Sequence, residues 1–156
     1  IALRHEGAPL IGAIGQPYLD EIFLGGPSGA RLLRDGAETP LKTRACPLLS
    51  DALIATTDPD IFVGADREAW TRLRASARLA RLGCDAYAYA MVAAGRIDLV
   101  AETELKVWDW SALQPVIEAA GGRVTSWTGQ TPDGDGRILA VGDAALTDQA
   151  LAVLNA

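Results

Sequence analysis

The amino-acid sequence predicts an α/β fold in which a short antiparallel meander is followed by a mixed sheet flanked by helices. Three observations lead there. Short apolar runs separated by turn residues crowd the first 44 positions, and from about residue 45 strand-like and helix-like segments alternate. A hydrophobic content of 49% against 22% charged residues over 156 positions then allows a real core.

In the meander, residues 1–3, 10–14 and 21–24 read as strands, punctuated by Glu6-Gly7, Gln16-Pro17 and Gly25-Gly26-Pro27. Spacing this close leaves no room for crossover helices, so these strands pair antiparallel. Beyond residue 45, a strand at 52–56, a helix at 65–77, a strand at 79–82 and a helix at 85–94 follow in order. Residues 97–101 form the next strand. Trp110, Leu113, Ile117 and Ala120 then mark one face of a helix that stops at Gly121 and Gly122. Residues 123–127 return to strand, 138–141 supply another, and 144–154 close the chain as a helix. Residues 129–136, with Pro132, Gly134 and alternating Asp, read as a surface turn, because a calcium loop would need a closing bidentate Glu. The expected organisation is therefore an antiparallel segment, 1–44, completing a sheet, and an α/β domain, 45–156. The chain starts at Ile1 inside a strand-like run without an initiator Met, which reads as a fragment whose exposed sheet edge invites association, a homodimer included.

A net charge of −6 argues against nucleic acid as a partner, since phosphate contacts need a clustered positive surface. Arg67, Arg72, Arg74, Arg78 and Arg81 form a basic run, but Leu and Ala interspersed at helical spacing make it a solvated face. Two cysteines, Cys46 and Cys84, are too few for a disulfide framework and lack zinc spacing, which fits reduced thiols in the cytoplasm. No apolar run approaches the ~20 residues of a membrane span.

In open α/β sheets ligands collect at the carboxyl ends of strands. Three acidic positions fall there: Asp85 after Gly83 and Cys84, Glu102 after the strand at 97–101, and Asp109 where strand gives way to helix. Each has a second reading. Asp85 and Asp109 can serve as helix caps, Glu102 with Glu104 as a solvated loop, Gly83 as the tight-turn residue and Cys84 as apolar packing. With His5 the only histidine, nucleophilic triads of the Ser/His/Asp or Cys/His kind are excluded as an expectation.

Trp108-Asp109-Trp110-Ser111-Ala112, followed by Glu118-Ala119-Ala120-Gly121-Gly122 and Val124-Thr125, resembles the carboxyl-terminal signature of the inositol monophosphatase superfamily. Gly83-Cys84-Asp85-Ala86-Tyr87-Ala88-Tyr89, Ala94-Gly95, Asp98-Leu99-Val100 with Glu102, and Thr56-Thr57-Asp58-Pro59 with Phe62 are similar to its histidinol-phosphate phosphatase branch. The resemblance implies the carboxyl-terminal part of a layered αβαβα sugar-phosphatase fold that hydrolyses a small phosphate monoester with Mg²⁺. Asp109 matches the metal-binding and catalytic Asp of the carboxyl half. The other ligands belong to the amino-terminal half, which this chain lacks, so the chain alone is expected to be inactive. Gly83, Cys84, Asp85 and Asp109 are implied to line the substrate pocket and Glu102 to contact the leaving alcohol. Two acidic groups suit the cationic leaving group of histidinol phosphate, an intermediate of histidine biosynthesis, whereas Trp108 stands where that branch commonly has Tyr. Inositol phosphate or another sugar phosphate is the alternative substrate, and a non-catalytic lobe binding small anions is the alternative function.

Overall fold

The computed structural model describes residues 1–132 and 134–156; Asp133, within the surface turn expected at 129–136, lies outside the described residues. Five strands, β1 (Ala2–His5), β2 (Ala8–Gln16), β3 (Glu21–Gly26), β4 (Gly29–Arg34) and β5 (Ala37–Pro40), pair in sequence order as an antiparallel meander. The last two extend the three strands read from the sequence. The hairpin joining them turns at Asp35-Gly36, both with positive φ (51° and 76°), the backbone a two-residue turn of this hand requires.

The second sheet has the order β7-β6-β8-β10-β9, built from β6 (Leu53–Thr56), β7 (Leu79–Leu82), β8 (Leu99–Glu102), β9 (Arg123–Ser126) and β10 (Ile138–Val141). β6 runs parallel to both neighbours, while β10 is antiparallel to β8 and β9, so the sheet is mixed. Its central strands are buried on both faces, which is why Leu99-Val100-Ala101 and Ile138-Leu139-Ala140-Val141 read as continuous apolar runs rather than alternating ones.

Between the sheets lie α2 (Ala86–Ala93) and α4 (Leu113–Ala119), whose Tyr89, Val92, Val116 and Ile117 share one core with Ile14 and Phe23 of the meander and Val100 and Ile138 of the mixed sheet. On the far face α1 (Ala65–Ser76) and α5 (Ala145–Leu154) enclose a second core, with Trp70, Leu73 and Leu146 packed against Ile54, Leu99 and Leu139. The stack is β–α–β–α. Helix α4 lies directly on the meander because Gly12 and Gly25 face it. A methyl group on Gly12 would overlap the Ala112 carbonyl, and one on Gly25 would overlap the Val116 Cα and the Pro115 oxygen.

The helix expected around Trp110 is broken in two: a single turn, α3 (Val107–Trp110), precedes α4. Pro115 has no N–H to offer the Ser111 carbonyl, and the Ser111 hydroxyl bonds back to the Val107 carbonyl, so one ladder bond is lost where a continuous helix would need it. The linker ahead of β6 is pinned by Asp98, whose buried carboxylate accepts from Arg44 Nε at 2.7 Å, Arg44 Nη2 at 2.6 Å and the Leu53 N–H at 2.7 Å.

Candidate active site

Strand β6 is flanked by β7 on one side and β8 on the other, and the connecting helices α1 and α2 lie on opposite faces of the sheet. The chain direction therefore reverses at β6/β8, and the carboxyl ends of those strands border a crevice. One backbone bond and one bond to a side chain tie the ends of β7, β6 and β8 together: Gly83 N–H donates to the Thr57 carbonyl at 2.8 Å, and Thr57 N–H donates to the Glu102 carboxylate Oε1 at 2.7 Å.

A cavity of about 490 Å³ opens beside these strand ends, lined by Asp85, Tyr89, Glu102, Trp108 and Asp109, with Ile14 and Gly15 of the meander as the facing wall. Asp85, Glu102 and Asp109, read separately from the sequence, thus share one cavity. Its lining carries three carboxylates and, among the described residues, no Lys, Arg or His side chain; the Ile1 amino terminus, which donates to the Ala13 carbonyl at 2.9 Å, is a cationic group at its edge. Gly83 and Cys84 do not line it. They form the turn that delivers Asp85, with Gly83, Cys84 and Asp85 at φ 87°, 78° and 48°. Glycine adopts such angles freely; Cys and Asp do so at a cost of about 1–3 kcal/mol each.

Each carboxylate also has a structural partner. Asp85 Oδ1 caps α2 by accepting the Ala86 N–H at 2.7 Å, and Asp109, in the single turn α3, accepts the Lys106 N–H on Oδ2 at 2.7 Å. The capping role read for both is present alongside their place in the cavity. Glu102 is 4% exposed, unlike the solvated loop residue that was its other reading. Its second oxygen, Oε2, accepts the Tyr89 hydroxyl at 2.8 Å. Trp108 is 76% exposed and flanks the cavity beside Asp109.

Tyr89 is the residue that sequence reasoning missed, because a tyrosine in an Ala-rich helix reads as core. It lies one turn into α2, whose N-cap is Asp85, and its place within the run from Gly83 to Tyr89 was the available signal. Burial drives the Tyr89 hydroxyl well above its ordinary pKa, and the charges of Glu102, Asp85 and Asp109 push it the same way. It therefore remains a donor at physiological pH, close to all three acids.

The donors suit a hard cation in kind, since carboxylate oxygens are what Mg²⁺ takes. In number they fall short: among the described residues no group of three or more His, Cys, Asp or Glu side chains gathers to hold an ion. Asp109, the metal ligand that the sequence resemblance implies, stands among them as a single carboxylate.

A crevice at a strand switch point of a layered α/β fold is where such sheets commonly hold small ligands. The chain belongs to the inositol monophosphatase family, whose model matches residues 1–155. It is 45% identical over 130 residues to the bifunctional phosphatase IMPL2 of Arabidopsis thaliana chloroplasts, an alignment that spans 83% of this chain and 37% of that one. It is 30% identical to a histidinol-phosphatase of Mycobacterium tuberculosis over 100% of this chain and 61% of that one. An inositol monophosphatase structure from Zymomonas mobilis superimposes with a TM-score of 0.93 at 34% identity, covering 99% of this chain and 61% of that one. The chain thus spans between a third and two thirds of the length of these relatives.

Proposed function

We propose that this chain forms the leaving-group side of a Mg²⁺-dependent phosphomonoesterase that hydrolyses histidinol phosphate, a step of histidine biosynthesis in the cytoplasm. The observation that carries this reading is the meeting of Asp85, Glu102 and Asp109 around one cavity without a basic side chain. A leaving alcohol that carries an amine and an imidazole gains from acids at this spot, whereas a polyol gains only hydrogen bonds. The likeness to a named histidinol-phosphatase over the whole chain supports the same substrate. Unpaired Cys46 and Cys84 fit a reducing compartment.

In this reading Asp109 is the metal ligand and catalytic carboxylate, and the remaining ligands come from a portion of the longer relatives that this chain does not match. When bound, Mg²⁺ supplies Lewis-acid polarisation of the phosphoryl oxygens and lowers the pKa of water. The chain's own residues hold the rest. The meander, residues 1–44, and the α/β part, 45–156, form facing walls that orient the ester; Glu102 and Asp85 hold the alcohol end, and Trp108 covers the mouth. By itself the chain is expected to be inactive.

Inositol phosphate is a second substrate reading, favoured by the Zymomonas mobilis structure. Phosphate release by the complete polypeptide from histidinol phosphate and from inositol phosphate, with Mg²⁺ and with EDTA, tests both. The proposal expects Mg²⁺-dependent release, faster from histidinol phosphate. Release from neither ester, together with calorimetric binding of phosphate esters that EDTA leaves undiminished, would point instead to a non-catalytic anion-binding lobe.

A further inference from the structure

Glu102 is held from two sides. Thr57 N–H binds Oε1 and the Tyr89 hydroxyl binds Oε2, at 2.7 and 2.8 Å. A carboxylate offers about four lone-pair sites, so two donors fix its plane and leave about two sites for a ligand. The backbone donor is set by the sheet, but the hydroxyl is a choice of side chain. Tyr89 is 1% exposed within the shared core, where a phenylalanine ring would fill the same space. A buried hydroxyl must find a partner, and the partner it has is the acid that lines the cavity.

We propose that Tyr89 is a positioning residue that sets the preference for a cationic leaving alcohol by holding the Glu102 carboxylate in one orientation. The proposal rests on the reading of Glu102 as the contact to the leaving group. With the hydroxyl removed, Glu102 keeps its charge but loses half of its anchoring. A cation on the alcohol then meets a carboxylate that must be ordered on binding, whereas a neutral polyol loses much less. The penalty falls on substrate binding and on discrimination between alcohols, since neither the phosphoryl group nor Asp109 is touched.

The test is Tyr89→Phe in the complete polypeptide, with kcat and KM measured for histidinol phosphate and inositol phosphate in Mg²⁺. The ratio of the two kcat/KM values is expected to fall about tenfold, mainly through KM for histidinol phosphate, with kcat changed by no more than about twofold. Glu102→Gln should lower the same ratio, and the double variant should add little to either single one, as for two residues acting through one contact. Equal losses on both substrates accompanied by a lower Tm would make Tyr89 merely structural and overturn the proposal, as would an unchanged ratio. Calorimetric binding of histidinol itself separates the two layers of the argument. If the wild type hydrolyses neither ester, the proposed function fails. The positioning role then stands if histidinol binds and Tyr89→Phe weakens it about tenfold, and falls if histidinol does not bind.

Discussion

Single residues in the crevice both cap local structure and line the cavity. Asp109 bonds the Lys106 N–H while lining the cavity, so Asp109→Asn keeps most of the capping geometry and removes the charge. In the complete polypeptide it should lower Mg²⁺-dependent phosphate release by about 10²-fold or more while the Tm moves little. The turn before α2 makes the opposite case. Cys84 holds φ 78° and does not line the cavity, so Cys84→Gly should raise stability by about 1 kcal/mol, measured by urea unfolding, without loss of activity. Asp98 sets a pH dependence. Burial alone would push its carboxyl up, but the Arg44 side chain, the Leu53 N–H and the charge of Arg44 together bring it below its ordinary value. A lowered folded pKa contributes stability that is fully present above the unfolded value, near 4, and is lost as pH falls through the folded one. Arg44→Gln should therefore cost about 2–3 kcal/mol at neutral pH, discounted because the arginine is half exposed, and should move acid unfolding to higher pH.

At the scale of elements, the contact between α4 and the meander depends on missing side chains. Gly25→Ala should cost about 3 kcal/mol, read by chemical denaturation, because its methyl would meet helix backbone rather than a side chain that could turn aside. The mixed sheet was legible from its long apolar runs and alternating helices. Strands β4 and β5 were not: the Leu32-Leu33 pair blurs the alternation of the former, and in the exposed edge strand Ala37-Glu38-Thr39-Pro40 only Thr39 is a good strand former. Asp35-Gly36 is the turn signal that marks their hairpin. The break between α3 and α4 was written in Pro115, but apolar spacing across Trp110 and Leu113 ran over it. That Asp85, Glu102 and Asp109 lie around one cavity was legible because strand ends and motif residues coincide. The Tyr89 contact was not, because its hydroxyl meets Glu102 only once β8 is brought against α2.

For the whole molecule, four alternating layers bring the end of β8, the start of α2 and the turn α3 to one crevice that the meander walls from the other side. No helix of the described residues is long and apolar enough to cross a membrane. The proposed function requires that this crevice carry a metal ligand, Asp109, at the edge of an acidic leaving-group pocket. Crystals of the complete polypeptide soaked in Mn²⁺ as a stand-in for Mg²⁺ test it most directly, by anomalous scattering. A peak is expected within about 2.5 Å of an Asp109 carboxylate oxygen, absent in Asp109→Asn. A Mn²⁺ peak elsewhere, with the Asp109 carboxylate bonded only to Lys106, would contradict it.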